Sequence, residues 1–187
     1  MKKKILKIID DNRQVALNLA SEVDRIQKLA SWACNTFRRG GKLVFFGNGG
    51  SAADAQHLAT EMVCRFMKNR RSLPALSLTT NTSLLTATGN DFSFDTIFSR
   101  QVESLVTAKD MVIGISTSGA SPNVLNGIRE ARKKGAKTAG FSSIKDTKLW
   151  RMTDVCIRIP STHTARIQEG HILVGHIMCQ LIEETLF

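Results

Sequence analysis

The sequence predicts an α/β fold built on a parallel β-sheet. Five short apolar runs follow one another along the chain, and helical patterns separate them. Most of the runs lack a regular alternation of apolar and polar residues, which is typical of strands buried on both faces. Strands that alternate with helices favour parallel pairing with right-handed crossovers. Because ligands of such sheets bind beyond the carboxyl ends of the strands, we expect the functional residues in the loops there.

The chain begins with a helical segment. Apolar residues recur at helical spacing between residues 3 and 39, which predicts two helices, and Gly40 and Gly41 end the second one. We expect this segment, residues 1–39, to pack on the core or at a subunit interface. The length of 187 residues fits a single domain spanning residues 1–187.

The rest of the chain alternates between the two kinds of element. The strands are predicted at 42–46, 74–78, 111–115, 137–141 and 155–159. The helices between and after them are predicted at about 51–68, 92–106, 122–134 and 164–186.

The charge balance favours an anionic ligand. The chain carries 26 Lys and Arg against 16 Asp and Glu, a net charge of +10, as in proteins that bind nucleic acids, membranes or phosphorylated metabolites. Tyr is absent and aromatic residues make up only 6% of the chain, which disfavours a base-stacking surface. No apolar run approaches the ~20 residues of a membrane span. We therefore expect no nucleic acid and no membrane partner.

The cysteines indicate the compartment. Four are present, and no two of them have C-x-x-C spacing. Free, buried thiols are typical of proteins in a reducing cytosol, so we expect a cytoplasmic protein.

Three predicted strands lead into loops with unusual chemistry. GNGGS (47–51) follows the first strand, LTTNTS and then GND (89–91) follow the second, and STSGAS (116–121) follows the third. Glycines let backbone N–H groups approach a ligand, and the start of the next helix adds partial positive charge. A tight turn would explain GNGGS equally well. In STSGAS a helix cap needs one hydroxyl, whereas four are present, which favours a phosphate monoester.

The helix after GNGGS presents His57 and Glu61 one turn apart on one face, and Arg65 extends that face. A surface ion pair is the simpler interpretation of this spacing. The nearby glycine loop favours a site that acts on a sugar whose phosphate is bound close by.

The last helix carries further polar residues in an apolar sequence. Gln168 and His176 are about two turns, ~12 Å, apart along a straight helix, so sharing one ion would be difficult. His, Glu and Gln are plausible ligands for Zn²⁺, although the spacing alone is weak evidence. We expect Arg166 and Glu169 to form a local ion pair. His171 fits either the site or the core.

Several of these segments together resemble a known family. The segments GNGGSAADAQHLATE, TGNDFSFD, FSRQVE, GISTSG-x-SPNV and ARIQEGHILVGH are similar to those of the phosphoheptose isomerases, the sedoheptulose 7-phosphate isomerases of the sugar isomerase (SIS) fold. The resemblance implies a Rossmann-like three-layer αβα sandwich with a five-stranded parallel sheet and N-terminal helices. It also implies a homotetramer, and conversion of sedoheptulose 7-phosphate to D-glycero-D-manno-heptose 7-phosphate for lipopolysaccharide synthesis.

The resemblance also assigns roles to residues. Those that would contact the substrate are Asn48, Gly49, Gly50, Ser51, Glu61, Asn90, Asp91, Ser116, Thr117, Ser118, Ser121 and Gln168. Those that would bind one Zn²⁺ per subunit are His57, Glu61, Gln168 and His176. Glu61 and His176 would be the acid/base pair of an isomerisation through an enediol. GFSSIKDTKLW after the fourth strand and Ala120 depart from the family's pattern.

Another interpretation remains open. Replication regulators of the same fold bind the bacterial initiator protein without catalysis, and that branch lacks the acid at the position of Glu61 and the imidazole at the position of His176. Because both residues are present here, the enzyme is favoured. The preferred sugar phosphate stays open.

Overall fold

The computed structural model describes residues 1–187 and places five parallel strands between two layers of helices. The strands are β1 (Leu43–Gly47), β2 (Ala75–Ser77), β3 (Met111–Ile115), β4 (Lys137–Ser143) and β5 (Val155–Ile159). Their order in the sheet is β2-β1-β3-β4-β5 and every pair is parallel. The predicted α/β fold class is confirmed.

The strands are buried along most of their length because both of their faces are covered. In β1, Leu43 and Phe45 belong to the larger hydrophobic core, whereas Val44 and Phe46 belong to a second core on the opposite face. Successive side chains of a strand point to opposite faces, so one apolar run supplies both cores.

The helices divide between the two faces. The larger core is covered by α1 (Lys2–Asn18), a 3₁₀ turn (Leu19–Glu22), α2 (Val23–Arg38), α3 (Gly50–Val63) and α8 (Thr164–Leu186). The second core is covered by α4 (Thr82–Asp91), a 3₁₀ turn (Phe94–Thr96), α5 (Ser99–Leu105), α6 (Pro122–Lys133) and α7 (Lys148–Met152).

The helix predicted at 92–106 is confirmed only as α5, which occupies Ser99–Leu105, and helix α4 was not predicted. Helix α4 begins earlier, where the side chain of Asn81 accepts a hydrogen bond from Leu84 N at 3.0 Å. The chain then breaks, because Ser93 Oγ accepts from Asp95 N at 3.1 Å and begins a short 3₁₀ turn. Serine side chains that bond to nearby backbone compete with helix in this way. Helix α3 also ends at Val63, earlier than predicted.

The strand order places two of the unusual loops side by side. From β1 the chain goes to β2 on one side, and it returns to place β3 on the other side. Gly47 at the end of β1 is in register with Ile115 at the end of β3. The loops GNGGS and STSGAS therefore both start at the point where the strand order reverses, which is where open α/β sheets bind their ligands.

The N-terminal helices are part of the packed structure. Helices α1 and α2 pack against α8, and Val15 and Ile26 lie in the larger core. The assignment of residues 1–187 to one domain stays a prediction. None of the helices combines the length and the apolar character that crossing a membrane requires.

Candidate active site

The loop after β3, residues Ser116–Ser121, is organised by its own hydroxyl groups. Ser116 Oγ lies 3.0 Å from Ser121 Oγ and 3.4 Å from Ser118 Oγ, and it accepts a hydrogen bond from Gly119 N at 3.1 Å. Gly119 has a φ of +59°, a conformation that favours glycine. Hydrogen bonds within the loop thus hold its serine hydroxyls close together.

These hydroxyls are not used to cap the helix that follows. Ser121 occupies the N-cap position of α6, yet its side chain makes no capping hydrogen bond, and Pro122 begins the helix. The side chains of Thr117 and Ser121 are half-buried and Ser118 is exposed. Hydroxyls beside a free helix N-terminus suit an anionic group such as a phosphate.

The loop after β1 is fixed to the same helix. Asn48 and Asn123 exchange two amide hydrogen bonds, each 2.9 Å long, and Asn123 is buried. Gly49 has a φ of +55°, and the N–H groups of Ser51 and Ala52 bond back to the loop's carbonyls. The amide of Asn48 therefore ties the loop after β1 to the helix that follows the loop after β3.

Helices α3 and α8 bring together three side chains of the types that bind metal ions. His57 Nε2 lies 2.9 Å from His176 Nε2 and 3.2 Å from Glu61 Oε1. One ligand atom from each of the three residues lies within 4.8 Å of the others. We call these three residues the His-Glu-His cluster.

A glycine allows this close approach of the two helices. A Cβ built on Gly175 would lie 2.5 Å from Leu58 Cδ2, which is closer than real contacts allow. Gly175 and Leu58 are the neighbours in sequence of His176 and His57. The missing side chain at position 175 therefore brings the two imidazoles into contact.

The geometry of the cluster fits a divalent cation. Zn²⁺ binds imidazole nitrogen at about 2.0–2.1 Å and carboxylate oxygen at about 2.0–2.2 Å, so its ligand atoms lie about as close to one another as these do. Three lone-pair donors converge from two helices, and a shared cation would satisfy all of them. His57 is half exposed and Glu61 is mostly buried, with side-chain exposures of 47% and 20%, so the cluster opens to solvent on one side.

The other predicted site residues are distributed unevenly. Gln168 lies against the start of α3, where a Cβ on Gly50 would collide with its amide. Asn90 and Asp91 are exposed at the last turn of α4, and the one side-chain hydrogen bond of either joins them to each other at 2.8 Å. They do not lie in a loop as expected, and beyond this pair neither side chain forms a hydrogen bond to another predicted site residue.

His171 packs in the core. It is fully buried, and its Nε2 lies 3.2 Å from the carbonyl oxygen of Ser142. Burial lowers its pKa to about 4, and the hydrogen bond to Ser142 opposes that shift only in part. The ring is therefore neutral. The expected ion pair between Arg166 and Glu169 is present.

Some residues of the site were not singled out from the sequence. Asp54 lies on α3 three residues before His57, and burial raises its pKa to about 6 while His57 opposes the shift. Phe66 stacks on the imidazole of His176 with ring centroids 5.5 Å apart. The spacing of Asp54 was a usable signal, since residues three apart share a helix face. The position of Phe66 depends on tertiary structure.

Comparison with known proteins agrees with this geometry. The family model of the SIS domain matches residues 9–143 of this chain. The phosphoheptose isomerase of Roseiflexus sp. (strain RS-1) is 50% identical over 169 residues, which cover 90% of this chain and 86% of that protein. The chain belongs to the phosphoheptose isomerase family.

Solved structures extend the family likeness to three dimensions. The phosphoheptose isomerase of Neisseria gonorrhoeae superimposes with a TM-score of 0.92 at 37% identity and covers 98% of both chains. That of Francisella tularensis has a TM-score of 0.93 at 32% identity and covers 97% of both. The family resemblance, the SIS fold and the aldose–ketose isomerase assignment are thereby confirmed.

Proposed function

We propose that this isomerase converts sedoheptulose 7-phosphate to D-glycero-D-manno-heptose 7-phosphate, the first step toward the heptoses of bacterial lipopolysaccharide. The observation that carries the proposal is the position of Glu61, beside two imidazoles, on a helix that starts from the glycine loop next to Ser116–Ser121. An isomerase needs both a phosphate site and a base.

The phosphate would bind in the loop Ser116–Ser121, which we call the serine loop. The hydroxyls of Ser116, Thr117, Ser118 and Ser121 surround the start of α6, whose N-terminus contributes partial positive charge. The loop containing Gly49 and Gly50 would cover the adjacent part of the sugar. Asn90 and Asp91 remain proposed contacts, although in this chain they lie apart from the cluster.

Proton transfer would fall to Glu61 and His176. Glu61 would remove the proton from C1 of the ketose and return it to C2 of the cis-enediol. His176 would move protons between the oxygens and assist ring opening. Because a carboxylate has two oxygens, one oxygen of Glu61 can face His57 while the other faces the substrate.

The His-Glu-His cluster would hold one Zn²⁺, with Gln168 as the proposed fourth ligand. When bound, the ion would act as a Lewis acid on the sugar oxygens. In this structure the amide of Gln168 contacts the start of α3. This contact supports a second role for Gln168, which is to fix the glycine loop.

The homotetramer remains part of the proposal. An apolar groove of about 440 Å³ runs between α2 and α8. Its apolar lining residues are Ala16, Leu19, Ala20, Val23, Ile26, Leu173, Ile177 and Leu181. Exposed apolar patches of this kind mark association surfaces.

The test is a coupled assay on sedoheptulose 7-phosphate, with added Zn²⁺ and with chelator. We expect formation of the aldose heptose phosphate, abolished by the chelator and restored by the metal. Turnover that survives complete removal of metal would overturn the zinc assignment. Absence of turnover from the folded, metal-loaded protein would overturn the substrate, and other sugar phosphates would then be tested.

A further inference from the structure

A buried carboxylate holds the segment that follows α3. The side chain of Glu183 on α8 accepts hydrogen bonds from Phe66 N at 2.9 Å and from Met67 N and Lys68 N at 2.8 Å each. The Nε of Arg70 donates a fourth bond of 2.8 Å. One carboxylate thus holds three consecutive backbone N–H groups and the side chain of Arg70 in an otherwise irregular segment.

The interaction is protected from solvent. The side chains of Glu183 and Arg70 are both 1% exposed. Burial alone would raise the pKa of Glu183, but the three backbone N–H groups and Arg70 outweigh burial and hold the pKa at about 2. Apolar residues of similar volume often serve stability as well as a buried ion pair does, so fold stability alone gives a weak reason for this arrangement.

The segment held by Glu183 contacts both proposed proton-transfer residues. Arg70 Nη2 donates to the carbonyl oxygen of Glu61 at 2.7 Å, and Arg70 Nη1 donates to that of Met62 at 2.8 Å. The ring of Phe66 stacks on His176 at a centroid distance of 5.5 Å and an interplanar angle of 29°. One end of the segment therefore fixes the last turn of α3, and the other forms a wall for the imidazole.

We propose that Glu183 is a positioning residue for the isomerisation, which it serves by holding Phe66 against His176 and Arg70 against the backbone of Glu61. The inference rests on the proposed function, since it assumes that Glu61 and His176 transfer the protons. Glu183 itself touches neither the reacting atoms nor the His-Glu-His cluster.

The imidazole needs such a wall for a physical reason. The second side-chain torsion of histidine is broad and roughly two-fold, so the torsional energy alone does not fix the ring plane. With Phe66 in place, His176 Nε2 points at His57 Nε2, 2.9 Å away. A displacement of about 1 Å in a proton-transfer group can cost about 100-fold in rate.

The test compares Phe66→Leu, Phe66→Tyr and Glu183→Gln, with Glu184→Gln on the exposed side of α8 as the matched control. We expect Phe66→Leu and Glu183→Gln to lower kcat by about 10- to 100-fold while KM stays within about twofold. Phe66→Tyr, which keeps the flat ring, should retain near wild-type kcat, and Glu184→Gln should change nothing. Unchanged kcat in Phe66→Leu, or a fall in kcat accompanied by a comparable rise in KM, would overturn the proposal.

A second readout separates this inference from the proposed function. The ring of Phe66 shifts the NMR signals of the His176 imidazole protons, which can be assigned through a His176→Asn variant. We expect Glu183→Gln to move those signals toward their positions in Phe66→Leu, whether or not sedoheptulose 7-phosphate is the substrate. If Glu183→Gln folds and leaves the His176 signals where they are, Glu183 is not a positioning residue.

Discussion

The serine loop and the His-Glu-His cluster are built in opposite ways. The serine loop gets its shape from hydrogen bonds among Ser116, Ser118, Gly119 and Ser121, all within six residues of chain. In the cluster, His57 and His176 are 119 positions apart, and two helices must pack correctly before they meet. The proposed phosphate site therefore depends mainly on local sequence, whereas the proposed proton-transfer site depends on tertiary packing.

This difference predicts how substitutions in the two regions will change kcat and KM. Substitutions in the serine loop should raise KM and leave kcat nearly unchanged, because the cluster does not depend on the loop's hydroxyls. Substitutions that disturb the packing of α3 on α8 should lower kcat even when they lie outside the cluster. A serine-loop variant that lowers kcat, or a packing variant that leaves kcat unchanged, would contradict this division.

The largest effect should come from Glu61→Gln. The amide cannot take the carbon-bound proton, so we expect kcat to fall by about 10²–10⁴-fold with KM within a few-fold, measured by steady-state kinetics on the sugar phosphate. Glu103→Gln, at an exposed position on α5, is the control. Near wild-type turnover of Glu61→Gln would remove this residue from the chemistry.

The next effect concerns His171, which joins α8 to the end of β4 near the serine loop. Its pKa is about 4 in the folded protein and 6.5 in a model peptide, so between these values the unfolded chain binds a proton that the folded chain does not. Stability should therefore fall as the pH drops from 6.5 to 4, by about 3 kcal/mol in all from this residue.

The variant His171→Phe removes that titration while keeping a ring in the core. Urea denaturation at several pH values should show that the unfolding free energy depends less steeply on pH in His171→Phe than in the wild type. The exposed substitution His163→Phe should leave this pH dependence unchanged. Equal slopes in wild type and His171→Phe would contradict the prediction.

Gly175→Ala tests the packing side of the comparison directly. The added methyl would press on Leu58, and overpacking of this kind costs about 1–3 kcal/mol. We expect lower stability and lower kcat with an unchanged KM. Gly89→Ala on α4, where a Cβ meets nothing within 4 Å, should be neutral or stabilising. Full activity in Gly175→Ala would show that the cluster tolerates a wider helix spacing.

The smallest effect should come from Ser118→Ala. Losing one hydrogen bond to a charged phosphate costs about 1.5 kcal/mol, or roughly tenfold in KM, with kcat preserved. Ser104→Ala, at an exposed position on α5, is the control. A fall in kcat instead would mean that the loop and the cluster are coupled.

Sequence patterns predicted the sheet well, because its central strands β1 and β3 are continuous apolar runs that are buried along their whole length. Helix α4 was missed because its sequence, TSLLTATGND, is rich in residues with weak helix propensity. The helix predicted at 92–106 begins too early for α5, and Phe92 and Phe94 in the extra residues are exposed.

The site was predictable to the extent that it is local. His57 and Glu61 follow from helical spacing, and the serine loop from its composition. The approach of His176 to His57 came only from the family resemblance, because no spacing rule links residues on different helices. The pairing of Asn48 with Asn123 and the stacking of Phe66 also depend on packing, and no local pattern indicates them.

Gly50 limits how this enzyme can be redesigned. Since the amide of Gln168 fills the space where a side chain at position 50 would stand, any other residue there must displace the end of the Gln168 side chain. A library that varies the glycine loop to accept a different sugar should therefore vary position 168 together with position 50. Randomising the loop alone would select mainly for glycine at that position.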